Sequence, residues 1–309
     1  MNRHSNRPLK VGVQLPETER VVRWDEFLEM ARLAEYVGLD SLWLGEHLLY
    51  RLPDGSTKGP WECWSLLAAL AATTSRVEIG PLVACTAFHN PALLAKMADT
   101  IDEISGGRLI LGLGAGWHEP EYRAFGFPYD HRVARFEEAF TIIRTLLRDG
   151  QIDFAGTYYS ARECELRPRG PRPNGPPLMI GSSGPRMLTI AAPHVDSWNV
   201  WFADYGNNPE GLPSQFELVD TACREAGRDP GEIERTCAVL VGFPGGTGRP
   251  TANPTLPPVP PLTGAPEAIA DGLRAFAQAG ISHVQLVLDP ITVESIAAMA
   301  PVLELLDRD

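Results

Sequence analysis

The 309-residue chain has little of what marks several large protein classes. Its five cysteines, Cys63, Cys85, Cys164, Cys223 and Cys237, are odd in number and scattered, with no C-x-x-C pair. That excludes a disulfide framework and a zinc ribbon, and it fits the reduced thiols of a cytoplasmic protein. No apolar run approaches the roughly 20 residues of a membrane-spanning helix. The basic N-terminus, Met1 to Lys10, lacks the apolar core of a signal peptide. Basic residues are outnumbered, 27 Lys and Arg against 39 Asp and Glu, for a net charge of −12. This argues against nucleic acid or an anionic membrane as partner and leaves a small molecule as the expected one. No H-x-x-x-H pair occurs, so no metal is expected; His47 with His118, Glu119 or Glu121 is the nearest approach to a ligand set.

What is present is an ordinary globular composition, 44% hydrophobic and 21% charged, at a length that suits one large α/β barrel. The chain is organised around Arg108-Leu-Ile-Leu-Gly-Leu-Gly-Ala-Gly-Trp-His-Glu-Pro-Glu-Tyr122. The apolar run Leu109 to Leu113 reads as a buried strand with a glycine-lined exit at Gly112, Gly114 and Gly116. Trp117, His118, Glu119 and Glu121 follow at once, before any predicted helix. Glycines there let backbone approach a ligand closely. The G-x-G-x-G spacing, followed by Trp117 and Pro120, does not match the dinucleotide-binding fingerprint.

Seven further apolar segments read as strands: Val11 to Leu15, Asp40 to Gly45, Arg76 to Cys85, Leu178 to Gly181, Val195 to Trp201, Arg235 to Phe243 and Ser282 to Leu288. Helical patterns follow them, among them Trp24 to Val37 closed by Gly38, Trp61 to Thr74, Pro91 to Ser105 and Val133 to Arg148. Residues 151–176 interrupt the rhythm as a hairpin or surface excursion, and 243–264 is a long Pro/Gly segment, a lid or a surface loop. Continuous apolar strands alternating with helices predict a parallel sheet covered on both faces. A (β/α)8 TIM barrel with insertions, including the long loop after strand seven, as one domain over residues 1–309, is the simplest fit.

In such a barrel the site lies where strands end. Those exits carry Gln14, Glu46-His47, Cys85-Thr86, Trp117-His118, Ser182-Ser183, Asn199 with Trp201, and Asp289. His47 is a candidate general acid or base, because imidazole titrates near working pH. Gly181-Ser-Ser-Gly-Pro-Arg186 joins a strand to a helix, where free N–H groups, two hydroxyls and Arg186 suit a phosphate. Ser183 also reads as a plain N-cap with Pro185 just inside the helix.

These stretches resemble, in order and over nearly the whole chain, the luciferase-like flavin-dependent oxidoreductases. The resemblance is carried by Gly38-Leu-Asp-Ser-Leu-Trp-Leu-Gly-Glu-His47, Phe88-His-Asn-Pro91, Gly106 to Trp117 with Glu119-Pro-Glu-Tyr122, Ile180-Gly-Ser-Ser-Gly-Pro185 and Asp196-Ser-Trp-Asn199. It is strongest to the branch that uses the deazaflavin coenzyme F420, with FMN as the alternative cofactor. The resemblance implies a barrel with the ring in its mouth and the phosphate near Ser182, Ser183, Gly184, Arg186 and Met187. It implies a non-proline cis peptide around Leu82-Val83-Ala84, with Thr86, Ala115 and Gly116 as further cofactor neighbours. His47, helped by Glu46, is then the catalytic pair, and Trp61, Trp117, His118 and Trp201 wall the substrate side. The implied activity is F420-dependent hydride transfer to or from a small organic molecule, in a homodimer. An FMN-dependent monooxygenase and a non-catalytic flavin-binding protein are the alternatives. Some F420-dependent sugar-phosphate dehydrogenases carry an acid where this chain has Trp117, which points here to a flatter, more apolar substrate.

Overall fold

A computed structural model describes residues 7–52, 55–248 and 259–308. Its strands are β1 (Lys10–Gln14), β2 (Ser41–Leu44), β3 (Tyr50–Arg51), β4 (Thr57–Lys58), β5 (Glu78–Pro81), β6 (Ala84–Cys85), β7 (Leu111–Gly114), β8 (Gln151–Ala155), β9 (Ser160–Glu165), β10 (Leu178–Gly181), β11 (Ser197–Val200), β12 (Glu234–Gly242) and β13 (His283–Asp289). The helices are α1 (Trp24–Val37), α2 (Cys63–Thr73), α3 (Pro91–Ser105), α4 (Glu119–Phe125), α5 (Arg132–Asp149), α6 (Pro185–Ala191), α7 (Leu212–Glu225), α8 (Pro266–Gln278) and α9 (Val293–Leu306).

Nine strands form one parallel sheet in the order β5-β2-β1-β13-β12-β11-β10-β7-β6. The two ends of that order, β5 and β6, are consecutive pieces of one strand. β5 pairs with β2, whereas β6 pairs with β7, and Ile79 also bridges to Leu109. The sheet therefore wraps into the expected eight-stranded barrel, its third strand divided at Leu82-Val83, where the peptide bond is cis. The helices sit outside, with their starts and stops encoded locally. Asn90 accepts from the Ala92 and Leu93 amides at the start of α3, and Gly38 ends α1 at φ 101°.

The barrel interior explains several glycines. Trp43, fully buried, fills the floor and donates from Nε1 to Ser41 Oγ at 2.7 Å, which in turn meets His283 Nε2 at 2.7 Å. A Cβ on Gly12 or Gly80 would stand 2.8 or 2.9 Å from the Trp43 ring. Higher up, a Cβ on Gly112, Gly114 or Gly181 would stand 2.8–2.9 Å from Val83. The strand-exit glycines thus make room for a neighbouring side chain of the protein itself.

The fold differs from the sequence reading in four places. The stretch after Glu46-His47, read as loop, holds the small antiparallel β3–β4 pair. Glu119 and Glu121 already belong to α4, because Pro120 occupies a first-turn position that needs no N–H. The N-cap of α6 is Gly184, not Ser183, and it has no side-chain cap. Glu62, not Trp61, opens α2, its carboxylate accepting from Trp64 and Ser65. Residues 151–165 form the β8–β9 hairpin. Of the Pro/Gly segment, residues 249–258 lie outside the described residues. Its ends are held: Asp289 accepts from Gly248 N at 2.7 Å, and Leu262 bridges to Val241. Among the described residues no helix is long and apolar enough to cross a membrane.

Candidate active site

The strand exits open into one cavity of about 1300 Å³. Glu46, His47, Leu82, Val83, Ala84, Ala115, Gly116, Trp117, Ser182, Ser183, Met187 and Trp201 all line it. Of the remaining expected residues, Thr86 is buried beneath it, its Oγ1 donating to the Gly114 carbonyl at 3.3 Å. Gly184 and Arg186 lie beyond the wall, and Arg186 reaches Glu137 at 3.2 Å on the exposed surface. Trp61 is half exposed and donates to the Val22 carbonyl, away from the cavity.

His47 lies at the centre of the polar wall. Its Nδ1 is 3.0 Å from Glu121 Oε1, whose second oxygen accepts from the Leu48 amide at 2.8 Å. A carboxylate only accepts, so Nδ1 carries the proton of that bond and Nε2 is the ring nitrogen that can gain or lose a second one. On the Nε2 side Glu17 Oε1 stands at 3.9 Å. Glu17 itself is buried and receives Tyr50 Oη at 2.6 Å and Gln14 Nε2 at 2.8 Å. The ring packs against Tyr50, centroids 4.5 Å apart, and meets Trp117 edge-on at 5.7 Å. His118 does not reach the cavity. It backs the wall, 5.2 Å from both Tyr50 and Trp117, and burial pushes its pKa down, favouring a neutral ring.

Glu46 is committed elsewhere. One oxygen takes Trp64 Nε1 and His89 Nε2, both at 2.7 Å, and the other takes the Cys85 amide at 2.6 Å. These bonds tie β2 to α2 and to the end of β6. The carboxylate bonded to His47 is that of Glu121.

The adjoining wall is built by α5 and the β7 exit. Gly116, at φ 71°, brings its carbonyl to Arg132 Nη1 at 2.6 Å. The Arg132 guanidinium also lies 4.4 Å over the Tyr129 ring. Tyr122 Oη, 2.8 Å from the Ala115 carbonyl, is 2.9 Å from Cys85 Sγ; burial drives the Cys85 pKa up to about 12. Cys85 therefore lines the cavity as an inert thiol.

Glu17, Tyr50 and Arg132 escaped the sequence reading. Glu17 follows Gln14 on the same strand exit, so its place was readable. Arg132 left a subtler sign: a cation in the first turn of a helix opposes the helix dipole and must be held by something else. Tyr50 follows no periodicity. Among the described residues no three His, Cys, Asp or Glu side chains converge as a metal site would require.

The chain resembles known proteins in sequence and shape. The family model for luciferase-like monooxygenases matches residues 1–242. A pyrimidine monooxygenase, RutA, of Cronobacter sakazakii is 33% identical over 227 residues, which is 72% of this chain and 61% of that protein. A 5,10-methylenetetrahydromethanopterin reductase of Archaeoglobus fulgidus is 30% identical over 221 residues, 71% of this chain and 60% of that one. The chain thus spans less than two thirds of the length of these relatives. In shape it matches an F420-dependent secondary alcohol dehydrogenase with a TM-score of 0.81 at 22% identity, over 97% of this chain and 99% of the other. By the match of its first 242 residues, the chain belongs to the luciferase-like monooxygenase family.

Proposed function

We propose that the protein is an oxidoreductase that uses the deazaflavin coenzyme F420 to exchange a hydride with a small, flat, largely apolar organic molecule. The observation that carries this reading is His47, oriented through Nδ1 by Glu121 and presented between Tyr50 and Trp117 at the cavity wall. The cavity suits such a coenzyme. Val83, admitted by Gly112, Gly114 and Gly181, gives an apolar shelf for a ring, and the hydroxyls of Ser182 and Ser183 lie on the same wall for a phosphate.

When bound, a coenzyme of this kind supplies or accepts the hydride. For each hydride that reaches a carbonyl or imine carbon, the neighbouring oxygen or nitrogen needs one proton. His47 Nε2 delivers it, and in the reverse direction takes it back. Glu121 fixes the ring and offsets its charge while it is protonated. Glu17 and Tyr50 hold the other edge of that wall. Trp117 and Trp201 cover the substrate and exclude water. Glu17, Glu46, Glu121, Asp204 and Asp289 all border the cavity against the lone guanidinium of Arg132 among the described residues, which disfavours an anionic substrate.

A second reading has its own support. The pyrimidine monooxygenase relatives favour the oxygen-using alternative, an FMN-dependent monooxygenase whose molecule oxidised is a pyrimidine. Fluorescence titration with F420 and, separately, with FMN tests the two. Selective F420 binding supports hydride exchange, selective FMN binding moves the chemistry to oxygen, and binding of neither sinks both. In the coenzyme-loaded protein His47→Ala should lower turnover about 100-fold or more with little change in coenzyme affinity; equal losses in both would remove His47 from the chemistry.

A further inference from the structure

The inner end of the cavity carries a hydrogen-bond arrangement that the His47 wall does not use. Asn199, in β11, donates one amide hydrogen to Thr236 Oγ1 at 2.8 Å and the other to Gln285 Oε1 at 2.6 Å. The one hydrogen of the Thr236 hydroxyl has the Trp198 carbonyl at 3.1 Å and Met179 Sδ at 3.8 Å as acceptors, so toward Asn199 the hydroxyl oxygen accepts from the NH2 group. The three side chains are 5, 2 and 0% exposed. With both N–H groups committed, Asn199 meets the cavity with its Oδ1, which has no donor among the described residues. Gln285 Nε2 is buried with no acceptor among the described residues. Turning the Gln285 amide over would set its NH2 against that of Asn199. The orphaned donor is thus the counterpart of an acceptor held toward the cavity.

We infer that Asn199 is a binding residue that reads an N–H group at the buried end of the bound molecule. The inference rests on the flavin-type reading above. The chemistry that fits is the imide of a pyrimidinedione ring, an N–H between two carbonyls. Isoalloxazine, its deazaflavin counterpart and a free pyrimidine substrate all possess it. Asn199 Oδ1 accepts from that N–H. A ring oxygen in the same place would face it lone pair to lone pair, so the residue also sets which edge of the ring enters first.

N-methylated ligands test this on the wild-type protein. Fluorescence titration with FMN and F420 identifies the coenzyme that binds, and its N3-methyl analogue is then titrated in the same way. If the coenzyme is the source of the N–H, methylation weakens binding about tenfold or more. Asn199→Leu then binds the parent as weakly as wild type binds the methylated form, and no longer distinguishes the two. A variant that fails to fold leaves the wild-type comparison standing. A second arm titrates coenzyme-loaded protein calorimetrically with uracil and 3-methyluracil. A preference for uracil there, with none in the coenzyme arm, assigns the N–H to the substrate. Equal coenzyme affinities together with no preference for uracil overturn the inference while leaving the flavin reading intact. Binding of neither FMN nor F420 overturns both.

Discussion

The carboxylate of Glu17 occupies the place where a side chain on residue 45 would begin. A Cβ on Gly45 would stand 2.6 Å from Glu17 Oε2. The glycine before Glu46-His47 is therefore fitted to a carboxylate arriving from the β1 exit, and the two segments assemble the Nε2 side of His47 together. Gly45→Ala should displace Glu17 from Tyr50 and Gln14. A loss of roughly 1–3 kcal/mol in denaturant unfolding is expected from the overpacking, together with at least a tenfold fall in turnover. Unchanged turnover would separate Glu17 from the function of His47.

Two of the three buried glutamates at the cavity wall, Glu121 and Glu46, should part company on substitution. Glu121→Gln leaves a neutral partner at His47 Nδ1 and is expected to lower turnover roughly tenfold or more while coenzyme affinity holds. Glu46→Gln sets an NH2 group among the donors of Trp64 and Cys85. It should cost about 1–3 kcal/mol of stability, read as a lower melting temperature. Steady-state kinetics and thermal melts of both variants decide the matter; a Glu46→Gln protein as stable as wild type but inactive would make Glu46 the chemical partner.

His283 sets an acid limit on the fold. Complete burial pushes its pKa down to about 3, and Lys10 adds to the effect. The unfolded chain takes up the proton near the ordinary histidine value of about 6.5. Stability contributed by the neutral ring is thus whole above that value and declines as pH falls from there toward 3, by an order of a few kcal/mol in full. His283→Gln should flatten this part of the stability curve, measured by urea unfolding between pH 7 and 4. An unchanged slope would place the acid sensitivity elsewhere.

Thiol chemistry should ignore the cavity. Cys85 borders it, yet its raised pKa and its Tyr122 contact leave little thiolate at pH 8. Cys164, on the β8–β9 hairpin, is the one cysteine that is not fully buried. Iodoacetamide labelling followed by peptide mass spectrometry should modify Cys164 first and Cys85 only on unfolding. Rapid labelling of Cys85 in the native protein would contradict the packing described.

Much of this architecture was legible in the sequence because it follows from period and punctuation. The segment Leu178 to Gly181 was bounded to the residue by its apolar run, and α3 by Pro91 and the glycines after Ser105. The cis peptide at Leu82-Val83 was expected only through the family resemblance, and the division of the strand Arg76 to Cys85 there was not expected, since nothing in Leu82-Val83-Ala84 announces the break. The site was half legible. Strand-exit positions brought out His47, Trp117 and Ser182, because position along a barrel strand is a property of the sequence. The partner of His47 was not, because Glu121 reaches it from a helix 74 residues away. Neighbouring Glu46 looked the better candidate on proximity alone. In a strand adjacent side chains point to opposite faces, so the chain neighbour is a poor guide to the partner in space. The glycines misled in a related way. They accommodate Val83 and Trp43, and single-residue reasoning sees the missing side chain without seeing what fills its place.

Trp43 closes the barrel beneath the cavity, and that turns the chamber into a blind alley. Whatever reaches the Asn199 end enters from the side of the strand exits, and goes back the same way. Two molecules that share the space are then loaded as a stack. The deeper one enters first and is the last out, and a second molecule seated above it delays its exit. Excess of the outer partner, added too early, would bar the door to the inner one.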